Sequence, residues 1–173
     1  FNVPLTNEGE IREDSRIRAA LPTIQKILSK GGRVVLASHL GRPEGVYVAE
    51  LSLKPVAKRL SELLGQEVLL APDSVGPEVL AMVNNLSPGE ALLLENVRFH
   101  AGETKNDPAL AERFAQLADV VVNDAFGSAH RAHASNVGVA ELLPPAVAGL
   151  LMAAEIEYFN RAVSHPKHPV VAI

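Results

Sequence analysis

Apolar residues fall along this chain in two alternating patterns. Short β-branched or leucine-rich runs occur at residues 33–38, 67–71, 91–94, 120–123 and 170–173. Continuous runs of this length suit strands buried on both faces, as in a parallel sheet. Between them, apolar residues recur at helical spacing. Leu21, Ile24, Ile27 and Leu28 mark a first helix that stops at Gly31-Gly32. Leu53, Val56, Ala57, Leu60, Leu63 and Leu64 share one face of a second, with Ser52 as its N-cap and Gly65 as its C-cap. Asp107-Pro108 opens another as cap and first residue, and Leu110, Phe114 and Leu117 form its stripe. A shorter helix is expected over residues 77–84 and a long one over 146–163, ending before Pro166. Phe1-Asn2-Val3 is strand-like. The alternation predicts an α/β fold: a Rossmann-like, doubly wound parallel sheet with helices on both faces.

The chain has 173 residues, about one domain's worth, with enough apolar content for a core. It opens at Phe1 and closes on Val170-Val171-Ala172-Ile173, an apolar run that reads as a buried strand. Domains seldom end inside a strand, so both ends are expected to be truncations. The formal net charge is −4, and the aromatic residues are five phenylalanines and two tyrosines. That balance argues against a nucleic-acid partner, which calls for basic surfaces and aromatic platforms. The apolar stretch near 146–154 is too short to span a bilayer, so no membrane partner is expected. Cysteine is absent, which leaves no disulfide or thiolate site and suits a reducing compartment such as the cytoplasm.

In doubly wound sheets, ligands bind beyond the carboxyl ends of the strands. The run at 33–38 is followed by His39-Leu40-Gly41-Arg42-Pro43, and the run at 91–94 by Glu95-Asn96-Val97-Arg98-Phe99. The run at 120–123 leads into Asp124-Ala125-Phe126-Gly127-Ser128-Ala129-His130-Arg131-Ala132-His133. Each of these three strands is thus followed by an arginine. In a parallel sheet, Arg42, Arg98 and Arg131 would converge on one edge of an otherwise acidic protein. A guanidinium's planar fork suits phosphate and carboxylate and keeps its charge. The pattern therefore points to a site for a small anion, set against the plainer reading of solvated loop arginines. His130 and His133 with Asp124 could instead form a metal site of a hydrolase, or be hydrogen-bonded loop residues. Gly41, Gly127 and Gly138 would supply turn geometry. Neither G-x-G-x-x-G nor G-x-x-x-x-G-K-[ST] occurs, nor a G-x-S-x-G elbow.

Several segments resemble the phosphoglycerate kinase family. Phe1-Asn2-Val3-Pro4 is similar to the end of its R-V-D-F-N-V-P strand. Arg16-Ile17-Arg18-Ala19-Ala20-Leu21-Pro22-Thr23-Ile24 resembles its R-I-x-A-x-L-P-T-I segment. Ser38-His39-Leu40-Gly41-Arg42-Pro43 matches S-H-L-G-R-P, and Leu94-Glu95-Asn96-Val97-Arg98-Phe99 matches L-E-N-x-R-F. Gly102-Glu103 and Lys105-Asn106-Asp107-Pro108 resemble the bacterial form of the next loop. Asp124-Ala125-Phe126-Gly127 and Ala129-His130-Arg131-Ala132-His133-Ala134-Ser135 match D-A-F-G-x-A-H-R-A-x-x-S. These motifs follow the family's order along the whole chain.

The resemblance implies a glycolytic phosphotransferase acting between 1,3-bisphosphoglycerate and Mg-ADP, giving 3-phosphoglycerate and Mg-ATP. It implies that Asn2 contacts the glycerate. His39, Arg42, Arg98 and Arg131 would surround the non-transferring phosphate, with Leu40 and Gly41 shaping the loop and His130 adding to the patch. Arg16 would lie by the reacting carboxyl group and act in catalysis. Residues 1–145 would form the N-terminal phosphoglycerate-binding domain, its first strand truncated. Residues 146–165 would form the interdomain helix, and 166–173 would start a nucleotide-binding domain absent here. Magnesium and nucleotide would bind that missing domain, with no cofactor or metal site in this chain. The parent enzyme would be a monomer of the cytoplasm, or of the plastid stroma. The family's aspartate before Phe1 is missing. An isolated, non-catalytic anion-binding module is the alternative.

Overall fold

In a computed structural model the described residues are 1–6 and 8–164. The expected run at 170–173 lies outside them. A three-stranded parallel sheet forms the centre, built from β1 (Val34–Leu36), β2 (Val68–Leu70) and β3 (Ala91–Leu93) in the order β1-β3-β2. The central strand, β3, is buried throughout. Its alternation divides the core: Ala91 and Leu93 face one layer, Leu92 and Leu94 the other.

The first layer holds α1 (Ser15–Leu28) and α2 (Lys54–Leu64), which contribute Ile17, Ile24, Val56 and Leu60. The second holds α3 (Pro77–Asn84) and α4 (Pro108–Ala115), contributing Val79, Leu110 and Phe114. Helices on both faces of a parallel sheet make the fold doubly wound. The Asp107 carboxylate caps α4, accepting from the Leu110 amide at 2.8 Å, and Gly65 ends α2 at φ 68.

Several elements depart from the sequence pattern. Phe1–Val3 joins no strand, although Val3 is buried against α1 and α2. Ser52 accepts from the Lys54 amide at 3.2 Å, but the boundary residue of α2 is Leu53, whose amide goes to Glu95 Oε1 at 2.8 Å. The run at 120–123 shortens to β4 (Val122–Asn123). It pairs with β5 (Val147–Ala148) in a separate two-stranded parallel sheet. The long helix expected from residue 146 therefore begins only after this strand. A π-helical turn over Ala134–Gly138 leads into α5 (Val139–Leu142), and α6 runs over Leu150–Ser164. Both strands of the small sheet need backbone partners from distant sequence, which local periodicity does not register.

Asp124 and Thr23 anchor the start of α6. Asp124 Oδ1 accepts from the Met152 amide at 3.0 Å, and Thr23 Oγ1 from the Leu150 amide at 2.9 Å. Both supply acceptors for amides that have no partner inside the helix. Asp124 thus braces a helix end.

Candidate functional site

Because β1 and β3 are neighbours, the loops leaving their carboxyl ends are neighbours too. The Val97 amide donates to the Ser38 carbonyl at 3.1 Å, extending the pairing into these loops. Asn96, fully buried, then ties them together. Its Nδ2 donates to the Leu40 carbonyl at 2.8 Å and the Leu51 carbonyl at 2.9 Å. Its Oδ1 accepts from the Arg98 amide at 3.1 Å. Glu95, also buried, accepts from Ser52 Oγ at 2.6 Å as well as from the Leu53 and Asn96 amides. The two side chains lock the strand-end turn to the start of α2.

Arg98 is stitched to the Arg42 loop twice. Its Nη1 donates to the Gly41 carbonyl at 2.9 Å, and its carbonyl accepts from the Gly45 amide at 3.1 Å. Gly41 sits at φ 64, a conformation that favours glycine, so here the turn role expected for it is met. The side chain of Leu40 enters the core between α1 and α2 and holds the loop from below. Asn2 Oδ1 accepts from the Gly41 amide at 3.1 Å. The Asn2 carbonyl in turn accepts from Arg16 Nη1, which projects from the first turn of α1. Asn2, Arg16, Gly41 and Arg98 form one hydrogen-bonded series drawn from segments remote in sequence.

Arg131 arrives from the second sheet, in the loop between β4 and the π-helical turn, and is exposed. The charges of both Arg131 and Arg42 act on Arg98. Burial, then those two like charges, lower the Arg98 pKa from its ordinary value, with Glu103 opposing. Arg98 Nε is buried and has no partner among the described residues. Burial, then Arg98, push the His39 pKa down to about 4, with His133 and Arg131 adding to the effect. His133 is likewise lowered, by burial and then Arg98 and Arg131. The cationic groups of the arrangement are the three guanidiniums, one of them with a buried, unbonded Nε, and with both histidines held toward their neutral forms the set still suits an anion.

His130, His133 and Asp124, the rival metal reading, do not come together as a ligand set. Asp124 caps α6, His133 Nδ1 lies 3.6 Å from Glu103, and His130 Nε2 lies 3.2 Å from Arg131 Nε. Among the described residues no three histidine or carboxylate side chains are grouped as metal ligands. Gly127 and Gly138 do not take positive φ. Gly138 instead permits close packing: a Cβ there would lie 2.7 Å from Asn106 Oδ1 and 2.8 Å from Ala111 Cβ. A cleft of about 550 Å³ opens beside Asn2 and Gly41, but no arginine lines it. The cationic groups instead belong to the surface formed by the loops.

The phosphoglycerate kinase family model matches residues 1–173. The chain belongs to the phosphoglycerate kinase family. It is 58% identical to the phosphoglycerate kinase of a Nostoc species over 173 residues, the whole of this chain and 43% of that protein. It is 59% identical to cytosolic phosphoglycerate kinase 3 of Arabidopsis thaliana, again over its full length and 43% of the relative. The phosphoglycerate kinase structure from Coxiella burnetii superposes with a TM-score of 0.84 at 46% identity, over 97% of this chain and 41% of that one. The Pyrococcus horikoshii phosphoglycerate kinase superposes with a TM-score of 0.87 at 37% identity, over 97% of this chain and 42% of that one. This chain thus spans less than half the length of these phosphoglycerate kinases.

Strand-end position singles out neither Asn96 nor Glu95 as site-forming, although both lie in the L-E-N-x-R-F match. It also passes over Glu103, a carboxylate 2% exposed, and Asn136. Buried polar residues inside motifs of otherwise mixed character leave no periodic signal; only their hydrogen bonds reveal them.

Proposed function

We propose that this chain supplies the 3-phosphoglycerate site of an enzyme that reversibly transfers the acyl phosphate of 1,3-bisphosphoglycerate to Mg-ADP, yielding 3-phosphoglycerate and ATP. The observation that carries the reading is the buried, unpartnered Nε of Arg98 amid the charges of Arg42 and Arg131. A desolvated guanidinium donor facing like charges is costly unless an anion completes it.

Arg42, Arg98, Arg131 and His39 hold the non-transferring phosphate, with His130 adding to the patch. Leu40 and Gly41 set the loop, Asn2 meets the glycerate, and Arg16 faces the phosphoryl group in transit. Phosphoryl transfer needs mainly positioning and charge stabilisation. Gripping one phosphate leaves the acyl phosphate free to react. Residues 1–145 form the phosphoglycerate-binding domain, and 146–165 the connection onward, which includes α6. Residues 166–173 begin the nucleotide-binding domain. Magnesium nucleotide, bound by length that the relatives carry beyond this chain, supplies the phosphoryl acceptor or donor and neutralises its charge. Dividing the two substrates between domains lets closure exclude water, which would hydrolyse the acyl phosphate. Monomeric action in the cytoplasm suits this role, in line with the cytosolic Arabidopsis relative.

The test uses the full-length gene product. It should form 1,3-bisphosphoglycerate and ADP from 3-phosphoglycerate and Mg-ATP in a coupled assay. Arg98→Ala should weaken 3-phosphoglycerate binding about ten- to hundredfold, the range of a lost charged hydrogen bond. Binding without turnover would favour the non-catalytic module. Unchanged affinity in Arg42→Ala, Arg98→Ala and Arg131→Ala would overturn the site itself.

A further inference from the structure

Arg131 is the one arginine of the set that lies outside the loops of the central sheet, so something must place it. A π-helical turn is the device. The Gly138 amide reaches the His133 carbonyl at 3.2 Å, the wide hydrogen bond that defines the turn. Successive residues in such a turn point in different directions, and here Ser135 and Asn136 face different neighbours. The Ser135 amide and Oγ donate to the buried Glu103 carboxylate at 3.0 and 2.6 Å. Glu103 follows the Arg98 segment by a few residues. Asn136 Nδ2 donates to the Arg131 carbonyl at 3.1 Å and the Ser128 carbonyl at 3.2 Å, and its Oδ1 accepts from Asn123 Nδ2 at 2.6 Å. One face of the turn thus grips the Arg98 side of the site, the other the backbone of Arg131 and the end of β4.

Resting on the reading proposed above, we infer that Asn136 is a positioning residue that sets Arg131 relative to Arg98, and that the Glu103–Ser135 contact is its anchor. The burial of Glu103 supports this. A carboxylate 2% exposed is costly to keep unless its bonds serve a geometry that an apolar side chain could not hold. Burial raises its pKa, which the two Ser135 bonds and Arg98 oppose.

The experiment titrates 3-phosphoglycerate into the full-length gene product by calorimetry, well below each variant's melting temperature. Asn136→Ala should weaken Kd by about tenfold, through misplacement rather than loss of a ligand contact. Ser135→Ala, which keeps the Glu103 charge, should weaken it by about threefold, and Ser135→Thr should restore it. In an Arg131→Ala background neither substitution should weaken binding further, whereas with Arg42→Ala their effects should add. A merely structural contact would show no such selectivity. If Arg98→Ala weakens binding while Asn136→Ala and Ser135→Ala leave it unchanged, the positioning role is overturned and the site stands. The role is equally overturned if their effects persist undiminished without Arg131. If Arg42→Ala, Arg98→Ala and Arg131→Ala all leave affinity unchanged, the underlying site fails. Ser135→Ala alone decides between these outcomes should Asn136→Ala not fold.

Discussion

Arg98 Nη1 donates to the Gly41 carbonyl at 2.9 Å, binding the arginine of one strand-end loop to the loop of another arginine, Arg42. The guanidinium is therefore held before any ligand arrives. Preorganised donors cost no reorganisation on binding, which is the source of their effect.

That preorganisation depends on Asn96. Asn96→Ala should leave the Leu40 and Leu51 carbonyls and the Arg98 amide without their partner, at about 1–3 kcal/mol for each group that water cannot reach. Urea unfolding should show the loss. Affinity for 3-phosphoglycerate should fall as well, measured where the variant is still folded. A variant with lowered stability and wild-type affinity would show that the His39–Arg42 loop keeps its shape without Asn96.

Arg16 should leave a different signature. It braces Asn2 and is exposed. Charge spreading over the phosphoryl oxygens during transfer favours a cation aimed there more than bound substrate does. Arg16→Ala in the full-length gene product should lower kcat by about a hundredfold, with a much smaller change in Kd. Arg16→Lys should recover part of the rate, since an ammonium restores charge but not the planar fork. Steady-state kinetics with equilibrium binding decides it; a large rise in Kd at normal kcat would make Arg16 an ordinary binding residue.

His39 gives a pH dependence with a defined sign. Its pKa falls from 6.5 to about 4, chiefly through burial and then Arg98. Between those values the unfolded chain holds a proton that folded His39 does not. Stability from neutral His39 is therefore full above pH 6.5, drains as pH falls and is gone below about 4. The raised Glu103 contributes with the opposite sign, so the comparison must be differential. His39→Gln should flatten the slope of stability between these limits relative to wild type. In NMR titrations, the His39 ring should protonate well below an ordinary histidine and shift upward when inorganic phosphate is added. A normal His39 titration would contradict the burial.

At the start of α6, a Cβ on Gly149 would lie 2.1 Å from Asp124 Oδ1. Gly149→Ala must displace the cap or the helix, and should destabilise by about 1–3 kcal/mol, as overpacking does. Asp124→Ala should cost about 1 kcal/mol, as a lost cap does. Asp124→Ala removes the Oδ1 and Cγ contacts at 2.1 and 2.3 Å and leaves only Cβ at 2.8 Å, so adding Gly149→Ala should cost less than it does alone, a non-additivity that urea unfolding can measure. Equal costs in both backgrounds would deny the contact.

Strand and helix character, the two-faced burial and the arginines after three strands were legible in the sequence because each is written locally. Val34, Leu92 and Leu93 lie in short apolar runs, Asp107-Pro108 announces α4, and Gly65 ends α2. The family motifs added Arg16 and Asn2, which strand-end position alone does not single out. Tertiary structure decided what local pattern does not encode. The order β1-β3-β2 makes the loops of Arg42 and Arg98 neighbours, and pairing between distant strands sets apart the small sheet whose strand β4 precedes Arg131. Val147 and Ala148 extend as a strand because β4 offers backbone partners, although their sequence also suits a helix. Asn96, Glu103 and Asn136 look ordinary in sequence, since a polar side chain's worth inside a protein lies in which groups surround it, and only folding brings those groups together.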